Sequence, residues 1–330
     1  MKYIVNNSND PRYNLAFEEY CFKNLSREED YVILWINGPA IIIGKNQNTM
    51  EEVNSKYVDE HGIKVVRRVT GGGAVYHDLG NLNFSIITNS VGVEKIDFGK
   101  INIPIVKALE RLGVKCELSG RNDLTLDGKK LSGIAQSVWK KRILNHGTIL
   151  FDTDLTVLSN ALNVRADKIE SKGVKSVRSR VTNIKPYLNQ DVDMAELKEL
   201  LLKYIFEYEG LIPVEYKLSE DELNGVDKLF KEKYSTWEWN YGESPVFNFK
   251  NYNRFPFGSI DIRLHVENGV IEEVKIYGDF FGTEDVSKLE ENLKGVKYLR
   301  EEVEKIGEVE NLQSYFGAIT KEEFVDLLFE

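Results

Sequence analysis

The segment RRVTGGGAVYHDLGNLNFS, which runs from Arg67 to Ser85, combines two arginines, three consecutive glycines, a His-Asp pair and two asparagines. A core strand does not need this set of polar side chains. The glycines permit positive φ angles and expose successive backbone N–H groups, which can form a concave anion site. Arg67 and Arg68 precede them, and a guanidinium binds carboxylates or phosphates through a planar set of donors. The segment indicates either an anion-binding loop or a tight glycine turn with solvent-exposed arginines.

The two common nucleotide-binding patterns are absent from the chain, so the glycines alone do not identify a phosphate site. No GxxxxGK[ST] run occurs, and no GxGxxG run opens a predicted helix. Evidence for a phosphate site must therefore come from the neighbouring polar clusters.

Two polar clusters follow the glycine segment. Gly120-Arg121-Asn122-Asp123 precedes a strand-like run, and Lys130 follows the dipeptide Asp127-Gly128. Asp-Gly between alternating residues predicts a β-hairpin, because a type I′ turn requires positive φ at both central positions. The small residues Ser132, Gly133 and Ala135 come next and leave room for a ligand to lie against the strand. The alternative is a solvated lysine on the outer face of the hairpin.

Hydrophobic periodicity outlines the other elements. Apolar residues at helical spacing predict helices over residues 11–25, 105–112, 194–208 and 221–234. Short apolar runs bounded by turn residues predict strands at 31–36, 40–43, 63–66, 84–88 and 146–152. Irregularly interleaved helices and hairpins predict an α+β fold rather than a doubly wound sheet.

The sequence style changes near residues 245–252, where we predict a domain boundary that divides the chain into residues 1–248 and 249–330. Beyond it, alternating apolar residues from Ile260 to Ile276 turn at Asn268-Gly269 and predict a second hairpin. Helices are predicted over residues 286–293, 298–306 and 321–329.

Composition excludes several classes of protein. The 330-residue chain has a formal net charge of −10, which argues against general nucleic-acid binding. Its apolar runs are too short to span a bilayer, and its first residues lack the apolar region of a signal peptide. The two cysteines cannot form a disulfide framework, so we expect a cytoplasmic protein with no membrane partner.

Three segments together resemble the signature blocks of the lipoate–protein ligase A family, within the biotin/lipoate ligase superfamily. They are RRVTGGGAVYHDLGNLNFS, GRNDLTLDGKKLSGIAQ and HGTILFDTDL. Residues 34–48 and 171–184 are similar to further family segments, and the hairpin ending at 276–281 is similar to the family's accessory domain. The resemblance spans nearly the whole chain, and Thr70 stands where many members have serine. It implies a large catalytic domain with mixed sheets and flanking helices, followed by a small α+β accessory domain.

The resemblance implies an ATP-dependent ligase that acts in two steps. The carboxylate of lipoate attacks the α-phosphate of ATP, giving lipoyl-AMP and pyrophosphate. The ε-amine of a lysine on an acceptor protein then attacks the mixed anhydride, releasing AMP. Two anions meet in the first step, so a cation must stabilise the developing charge. By resemblance this catalytic cation is Lys130, which would contact both the lipoyl carbonyl oxygen and the phosphate.

The resemblance also assigns the binding residues. Trp35 and the strand 41–43 would wall the slot for the lipoyl tail, and Asp123 would hold Mg²⁺, which takes few protein ligands. The residues expected to bind ATP are Arg68, Gly73, Ala74, Val75, Tyr76, Asn81, Asn122 and Lys130. Those expected to bind lipoate are Trp35, Arg68, Thr70, Gly72, His77, Lys130, Ser132, Gly133, Ala135 and His146.

The implied acceptors are lipoyl-domain proteins, namely the E2 subunits of 2-oxoacid dehydrogenases and the H protein of glycine cleavage. No motif selects one acceptor, and none decides between lipoate and octanoate.

The alternative function is an ATP-independent transferase, which would move an octanoyl or lipoyl group between carrier proteins through a cysteine thioester. Cys21 and Cys116 both lie outside the signature blocks. We therefore interpret them as small buried apolar residues and favour the ligase.

Overall fold

The computed structural model describes residues 1–89, 98–119, 122–162, 181–241, 249–267 and 269–329. Gly120, Arg121 and Asn268 lie outside these ranges, as do residues 171–180 of the family segment and residues 245–248 of the predicted boundary at 245–252. The division at residue 248 therefore stays a prediction.

A seven-stranded mixed sheet forms the centre of the N-terminal part described here, in the order β1-β2-β6-β10-β9-β8-β7. β1 is parallel to β2, and every other neighbouring pair is antiparallel. The predicted hairpin around Asp127-Gly128 is confirmed as the β8–β9 pair, and both turn residues have positive φ. The strands are β1 Lys2–Val5, β2 Tyr31–Ile36, β6 Asn81–Asn89, β7 Glu117–Ser119, β8 Asp123–Leu126, β9 Lys129–Trp139 and β10 Arg142–Leu150.

A second sheet of three short strands carries Arg67 and residues that follow the glycines, and Arg68 comes directly after one of its strands. Its strands are β3 Ala40–Ile43, β4 Lys64–Arg67 and β5 Val75–His77. β3 lies in the middle, parallel to β4 and antiparallel to β5, so the glycine segment joins the two outer strands across the end of β3.

Helices cover the two sheets. The first helix begins at Pro11 because the Asp10 side chain accepts a hydrogen bond from the Arg12 backbone N–H, and proline suits the first helical turn. The helices are α1 Pro11–Asn24, α2 Thr49–Glu52, α3 Ser55–Glu60, α4 Phe98–Arg111, α5 Leu158–Ala161, α6 Met194–Tyr208, α7 Glu220–Leu229 and α8 Trp237–Asn240. A π-helical turn, Phe230–Tyr234, extends α7. None of the helices within the described ranges is long and apolar enough to cross a membrane.

The helix α4 begins earlier than its periodicity predicts. Apolar periodicity predicted a helix over residues 105–112, but the helix includes Pro104 and begins at Phe98. Asn102 is fully buried and Ile101 packs on the main core. Tertiary contacts therefore hold the first turns helical despite the N–H that proline lacks.

The C-terminal part has its own hydrophobic core. Three antiparallel strands, β11 Phe249–Phe255, β12 Gly258–Glu267 and β13 Val270–Gly278, pack against helices α9 Val286–Leu293, α10 Arg300–Val309, α11 Leu312–Phe316 and α12 Lys321–Phe329. The buried residues of this core all come from residues 255–328. The predicted second hairpin is confirmed, while β11 and α11 were missed.

Candidate active site

A cavity of about 130 Å³ lies where the two N-terminal sheets approach each other. Strands β2, β6, β9 and β10 of the large sheet contribute to its wall, as do β3 and β5 of the small sheet, the start of α1 and the glycine segment. The side chains of Leu15 and Trp35 close its inner end at 2% and 3% exposure. Lys130, with its side chain 35% exposed, lies at the open side.

Most of the predicted site residues line this cavity. They are Trp35, Arg68, Gly72, Gly73, Ala74, Val75, His77, Asn122, Lys130, Gly133, Ala135 and His146. The cavity wall does not include Thr70, Tyr76, Asn81, Asp123 or Ser132. It does include residues that the sequence analysis did not single out, namely Leu15, Asn83, Ile134, Gly147 and Thr148.

On β5, the alternation of side chains along a strand explains which predicted residues line the cavity and which do not. Successive side chains of a strand point to opposite faces, so Val75 and His77 reach the cavity. Tyr76 instead packs in a separate core with Ile41 and Ile43. Only the backbone of Tyr76 is therefore placed to contribute to a nucleotide cradle.

Arg68 is a buried cation whose donors point at the protein. Its Nε donates to Thr70 Oγ1 at 3.0 Å, and its Nη1 donates to the Ile42 carbonyl at 3.0 Å. Its Nη2 donates to the carbonyls of Gly71 and Gly73 at 2.7 and 2.8 Å. Burial lowers its pKa to about 10, so the group remains charged at neutral pH. Arg68 therefore holds the glycine segment in shape and places positive charge behind it.

Arg67 serves a structural purpose on the other face of β4. Its Nη1 donates to the carbonyls of Gly44, Lys45 and Gln47 at 3.0, 3.0 and 2.6 Å. Its Nε donates to the Trp239 carbonyl at 3.0 Å. The side chain thus fixes the segment after β3 against α8, and it does not line the cavity.

Close packing explains two of the three glycines. A Cβ atom on Gly71 would lie 2.5 Å from the carbonyl oxygen of Phe280, and one on Gly72 would lie 2.9 Å from the Phe281 ring. Gly72 also has φ +90°, which L-residues rarely adopt. A Cβ atom on Gly73 would meet nothing within 4 Å. Gly73 is therefore the position where the bare backbone borders open space in the cavity wall.

Lys130 lies on β9 beside the cavity and forms an ion pair with Asp123, with 2.8 Å between Nζ and Oδ1. A Cβ atom on Gly133 would lie 2.9 Å from the same Nζ. The absence of a side chain at Gly133 therefore lets the lysine fold over the strand toward the cavity. The Lys130 carbonyl accepts a hydrogen bond from the Thr182 backbone N–H at 2.9 Å, which anchors this part of β9.

A buried hydrogen-bond chain supports the inner wall and includes Glu18, which the sequence analysis missed. Nδ1 of His146 lies 2.9 Å from both carboxylate oxygens of Glu18, which is 1% exposed. Nε2 of His146 lies 2.7 Å from Thr70 Oγ1. Trp35 Nε1 donates to Ser85 Oγ, which in turn donates to Glu18. Since α1 carries no sequence motif around Glu18, only the packing of that helix on the sheet places it here.

The hydroxyl of Thr70 is already engaged within this chain. Thr70 Oγ1 accepts a hydrogen bond from Arg68 Nε and lies 2.7 Å from Nε2 of His146. In this structure Thr70 therefore connects two cavity-lining side chains rather than presenting a free donor.

Asn81 and Ser132 are fully buried next to the cavity wall. The Asn81 amide donates to the side chain of Asn83, whose own nitrogen has no partner within the described ranges. Asn122 Nδ2 donates to the Ile134 carbonyl at 2.6 Å and so fastens the start of β8 to β9.

Two domain families match the chain in order. Residues 10–206 match the lipoyl protein ligase A/B catalytic domain, and residues 244–328 match the C-terminus of bacterial lipoate protein ligases. The chain belongs to the lipoate–protein ligase family. Family membership, an enzymatic activity and the α+β fold, which we predicted from the sequence, are confirmed.

Relatives and solved structures of the family align with most or all of the ligase chain. It is 52% identical to lipoate-protein ligase LplJ of Bacillus subtilis over 100% of both chains. It is 48% identical to lipoate-protein ligase 1 of Staphylococcus aureus, over 99% of this chain and 100% of that one. LipL1 of P. falciparum, solved in complex with lipoate, superposes with a TM-score of 0.82 at 27% identity, covering 98% and 97% of the two chains. A lipoate-protein ligase A bound with ATP gives 0.64 at 31% identity, covering 73% and 98%.

Neither cysteine of this ligase is placed for thioester chemistry. Cys21 is fully buried, and burial raises the pKa of its thiol. Cys116 is 6% exposed, and burial raises its pKa to about 11. Neither residue lines the cavity. A thiolate is the competent nucleophile, so this arrangement is unfavourable for acyl transfer through cysteine.

The described residues of the ligase contain no cluster of three His, Cys, Asp or Glu side chains that could hold a metal ion. Asp123 contributes one half-exposed carboxylate beside Lys130. A single carboxylate fits Mg²⁺, which takes its other ligands from phosphates and water. It does not fit a metal such as structural zinc, which requires a full set of protein ligands.

Proposed function

We propose that this chain is an ATP-dependent lipoate–protein ligase, which forms lipoyl-AMP and transfers the lipoyl group to the ε-amine of an acceptor lysine. The observation that carries the proposal is the Lys130 ammonium at the open side of an apolar cavity. Relatives that match the whole chain are named lipoate-protein ligases, and similar structures hold lipoate or ATP.

The cavity suits an acyl chain with a charged end. Its inner wall is formed by Leu15, Trp35 and Ile42, which are almost completely buried and exclude water from the tail. The carboxylate would then lie toward Lys130 at the open side, where ATP has access. In the free enzyme this ammonium is paired with Asp123, so its charge is kept beside the site before the substrates bind.

Lys130 is the proposed catalytic residue of both steps. When the carboxylate attacks the α-phosphate, negative charge develops on the phosphoryl and carbonyl oxygens, and a positioned ammonium stabilises it. In the transfer step the acceptor amine attacks the carbonyl, and the same ammonium stabilises the charge on that oxygen. A compact ammonium on a flexible stem can follow the charge from one oxygen to the other.

Asp123 is the proposed protein ligand for Mg²⁺. When bound, Mg²⁺ would neutralise phosphate charge that the protein itself does not compensate. Asp123 would then exchange its ion pair with Lys130 for the metal, which frees the ammonium for the substrate.

Arg68 and the glycine segment form the proposed phosphate side of the site. Two of the four hydrogen bonds from Arg68 fix the carbonyls of Gly71 and Gly73, which orients the intervening N–H groups. Gly73, Ala74 and Val75 line the cavity, and their backbone N–H groups are the proposed contacts to phosphate. We retain Asn122 on this side, since it also lines the cavity.

The proposed acceptors are lipoyl-domain proteins, either an E2 subunit or a glycine-cleavage H protein. A similar bipartite ligase from Thermoplasma acidophilum has been described with its E2 lipoyl domain, with a TM-score of 0.66 at 32% identity. We assign the reaction to the cytoplasm, where the two free cysteines remain reduced.

Mass spectrometry of an acceptor domain tests the proposal. The domain is incubated with the enzyme, lipoate and Mg-ATP, and we expect the mass increase of one lipoyl group on one lysine. No modification is expected without ATP. Modification that needs no ATP but does need an octanoylated or lipoylated carrier would instead identify the transferase.

A further inference from the structure

One ring nitrogen of the cavity-lining residue His77 has no protein partner in the part of the chain that the structure describes. The side chain is 4% exposed and lines the cavity. Its Nδ1 lies 3.0 Å from Asn37 Nδ2, while its Nε2 has no hydrogen-bond partner among the described residues. A buried polar atom without a partner is unfavourable, so its presence in a cavity wall points to a ligand.

The hydrogen-bond network behind His77 fixes which nitrogen carries the proton. Asn14 Nδ2 donates to the backbone carbonyls of Ser8 and Ile36 at 2.9 and 3.0 Å, which identifies it as the amide nitrogen. Asn37 Oδ1 lies 2.9 Å from the same nitrogen, where the nitrogen of Asn37 would bring two donors together. Asn37 must therefore turn its own nitrogen to His77, whose Nδ1 accepts. The proton of the neutral ring therefore lies on Nε2, the nitrogen that has no partner among the described residues.

The ring stays neutral under physiological conditions. Burial, followed by the nearby charges of Arg68 and His146, lowers the pKa of His77 to about 3. Far above that pH the ring has one N–H, and the network places it on Nε2. The cavity wall therefore contains a donor whose tautomer and protonation state are set before any ligand binds.

The position of His77 indicates which part of a substrate it meets. His77 pairs with Ala40 on β3 and bonds to Asn37, and both of these residues are fully buried. The reacting carboxyl group must instead reach the exposed side of the cavity at Lys130. A donor on the buried side consequently faces the tail of the acyl substrate, where lipoate has a dithiolane ring and octanoate has only methylene and methyl groups.

We propose that the Nε2–H group of His77 donates a hydrogen bond to a dithiolane sulfur and thereby selects lipoate over octanoate. This inference rests on the proposed function and extends it to the choice of acyl substrate. Sulfur is a weak acceptor, so the bond itself is modest. The preference for lipoate does not depend on this bond alone. Octanoate has no acceptor atom at this position and would leave the buried donor unpaired, which costs free energy on binding.

The kinetic test compares kcat/KM for lipoate and for octanoate in the wild type, His77→Phe and His77→Gln. Phenylalanine keeps a planar ring and removes the donor, and we expect the lipoate-to-octanoate ratio to fall about fivefold. Glutamine retains an amide N–H and should restore part of the preference. His61→Phe is the matched control, because His61 is exposed and stacked on Tyr57 away from the cavity. This control should keep the wild-type ratio.

The outcomes separate the two proposals. An equal loss for both acids in His77→Phe would place the donor at the carboxyl group, which the acids share, and would overturn the inference. A lipoate-to-octanoate ratio in His77→Phe that equals the wild-type ratio would also overturn the inference. In either case, ligation of an acceptor by the wild-type enzyme would leave the proposed function intact. A wild type that ligates neither acid would instead contradict the proposed function.

A binding measurement keeps the inference testable if the variant does not fold. The chain has four histidines, so ¹⁵N-histidine labelling of the wild type gives few ring signals, and the His77→Gln spectrum assigns the one of interest. We expect a neutral ring protonated at Nε2, whose Nε2 signal shifts with lipoate and not with octanoate. Equal shifts with the two acids, or a ring protonated at Nδ1, would overturn the inference.

Discussion

At the residue scale, Arg68 and Lys130, two cations of the cavity wall, differ in how their charge is held. Arg68 is buried and gives hydrogen bonds to Thr70, Ile42 and the glycine segment, so it cannot follow a substrate. Lys130 is partly exposed and is held by an ion pair to Asp123, which exchange with a ligand can replace. The division explains why one site needs both: a fixed charge shapes the loop, and a movable charge follows the reaction.

Replacement of Lys130 tests the movable charge. Lys130→Ala should lower lipoyl-AMP formation by about two to three orders of magnitude, because a charge that develops in the transition state loses its stabilising partner. Pyrophosphate release measures this step without an acceptor protein.

Lys129→Ala is the matched control for that variant, since Lys129 is the exposed neighbour on the same strand and is absent from the cavity wall. Near-normal adenylation by Lys130→Ala, with a folded protein, would contradict the assigned role.

The cysteines provide a second prediction at this scale. The double variant Cys21→Ser/Cys116→Ser should retain ligation, because both thiols are buried, have raised pKa values and lie outside the cavity. Ligation of the acceptor, measured by mass, is compared with circular dichroism of the same preparation. Complete loss of turnover in a protein that keeps its wild-type melting curve would support the thioester route.

At the element scale, the glycine segment is shaped by packing as much as by ligand binding. We interpreted the three glycines from the sequence as a bare-backbone anion site. Gly71 and Gly72 are also required because Phe280 and Phe281 of the C-terminal part lie directly against them. Gly73 has open space beside it. The run of identical residues thus serves different physical requirements at adjacent positions.

This difference predicts unequal effects of alanine at two neighbouring glycines. Gly72→Ala should destabilise the fold by about 1–3 kcal/mol, because it combines an unfavourable positive φ with a clash against Phe281. Gly73→Ala adds a methyl group into open space and should change the melting temperature much less. Thermal denaturation of both variants checks the order, and equal destabilisation would contradict the packing argument.

At the scale of the whole molecule, specific contacts join the C-terminal part to the site. The Gly278 N–H donates to the Asn46 carbonyl at 2.6 Å, and Lys45 Nζ lies 2.6 Å from Asp285 Oδ2. The ion pair is substantially exposed, and such pairs contribute only about 0–1 kcal/mol. Together with the Phe281 contact, these interactions connect the C-terminal core to the segments on either side of Arg67.

Because the contacts beside the glycine segment are weak, we predict that the C-terminal part changes position during the reaction. Lipoyl-AMP bound along the glycine segment would alter the surface on which Phe281 packs, and the exposed ion pair could not prevent the rearrangement. Small-angle scattering of the enzyme with and without lipoyl-AMP measures the change. Identical scattering curves at saturating ligand would refute this prediction, with melting-temperature elevation as the control for binding.

Local sequence patterns determined the helices and strands and the positions of the proposed catalytic and binding residues. The hairpin after Asp127-Gly128, the helix after Pro11 and the strands around the glycines follow from turn chemistry and periodicity. Family signatures named Lys130 and most of the residues that line the cavity. These features are predictable because they depend on residues that are close together in the chain.

Only the tertiary structure decided what each polar group contacts. Glu18 reaches His146 across a sequence separation of 128 residues, and no local pattern on α1 marks it. The direction of the His77 donor depends on Asn37 and Asn14, two residues on other elements. A sequence states which donors and acceptors a chain possesses. Whether a buried donor is paired or left for a ligand depends on packing between distant segments, since burial and hydrogen-bond partners arise only when those segments meet.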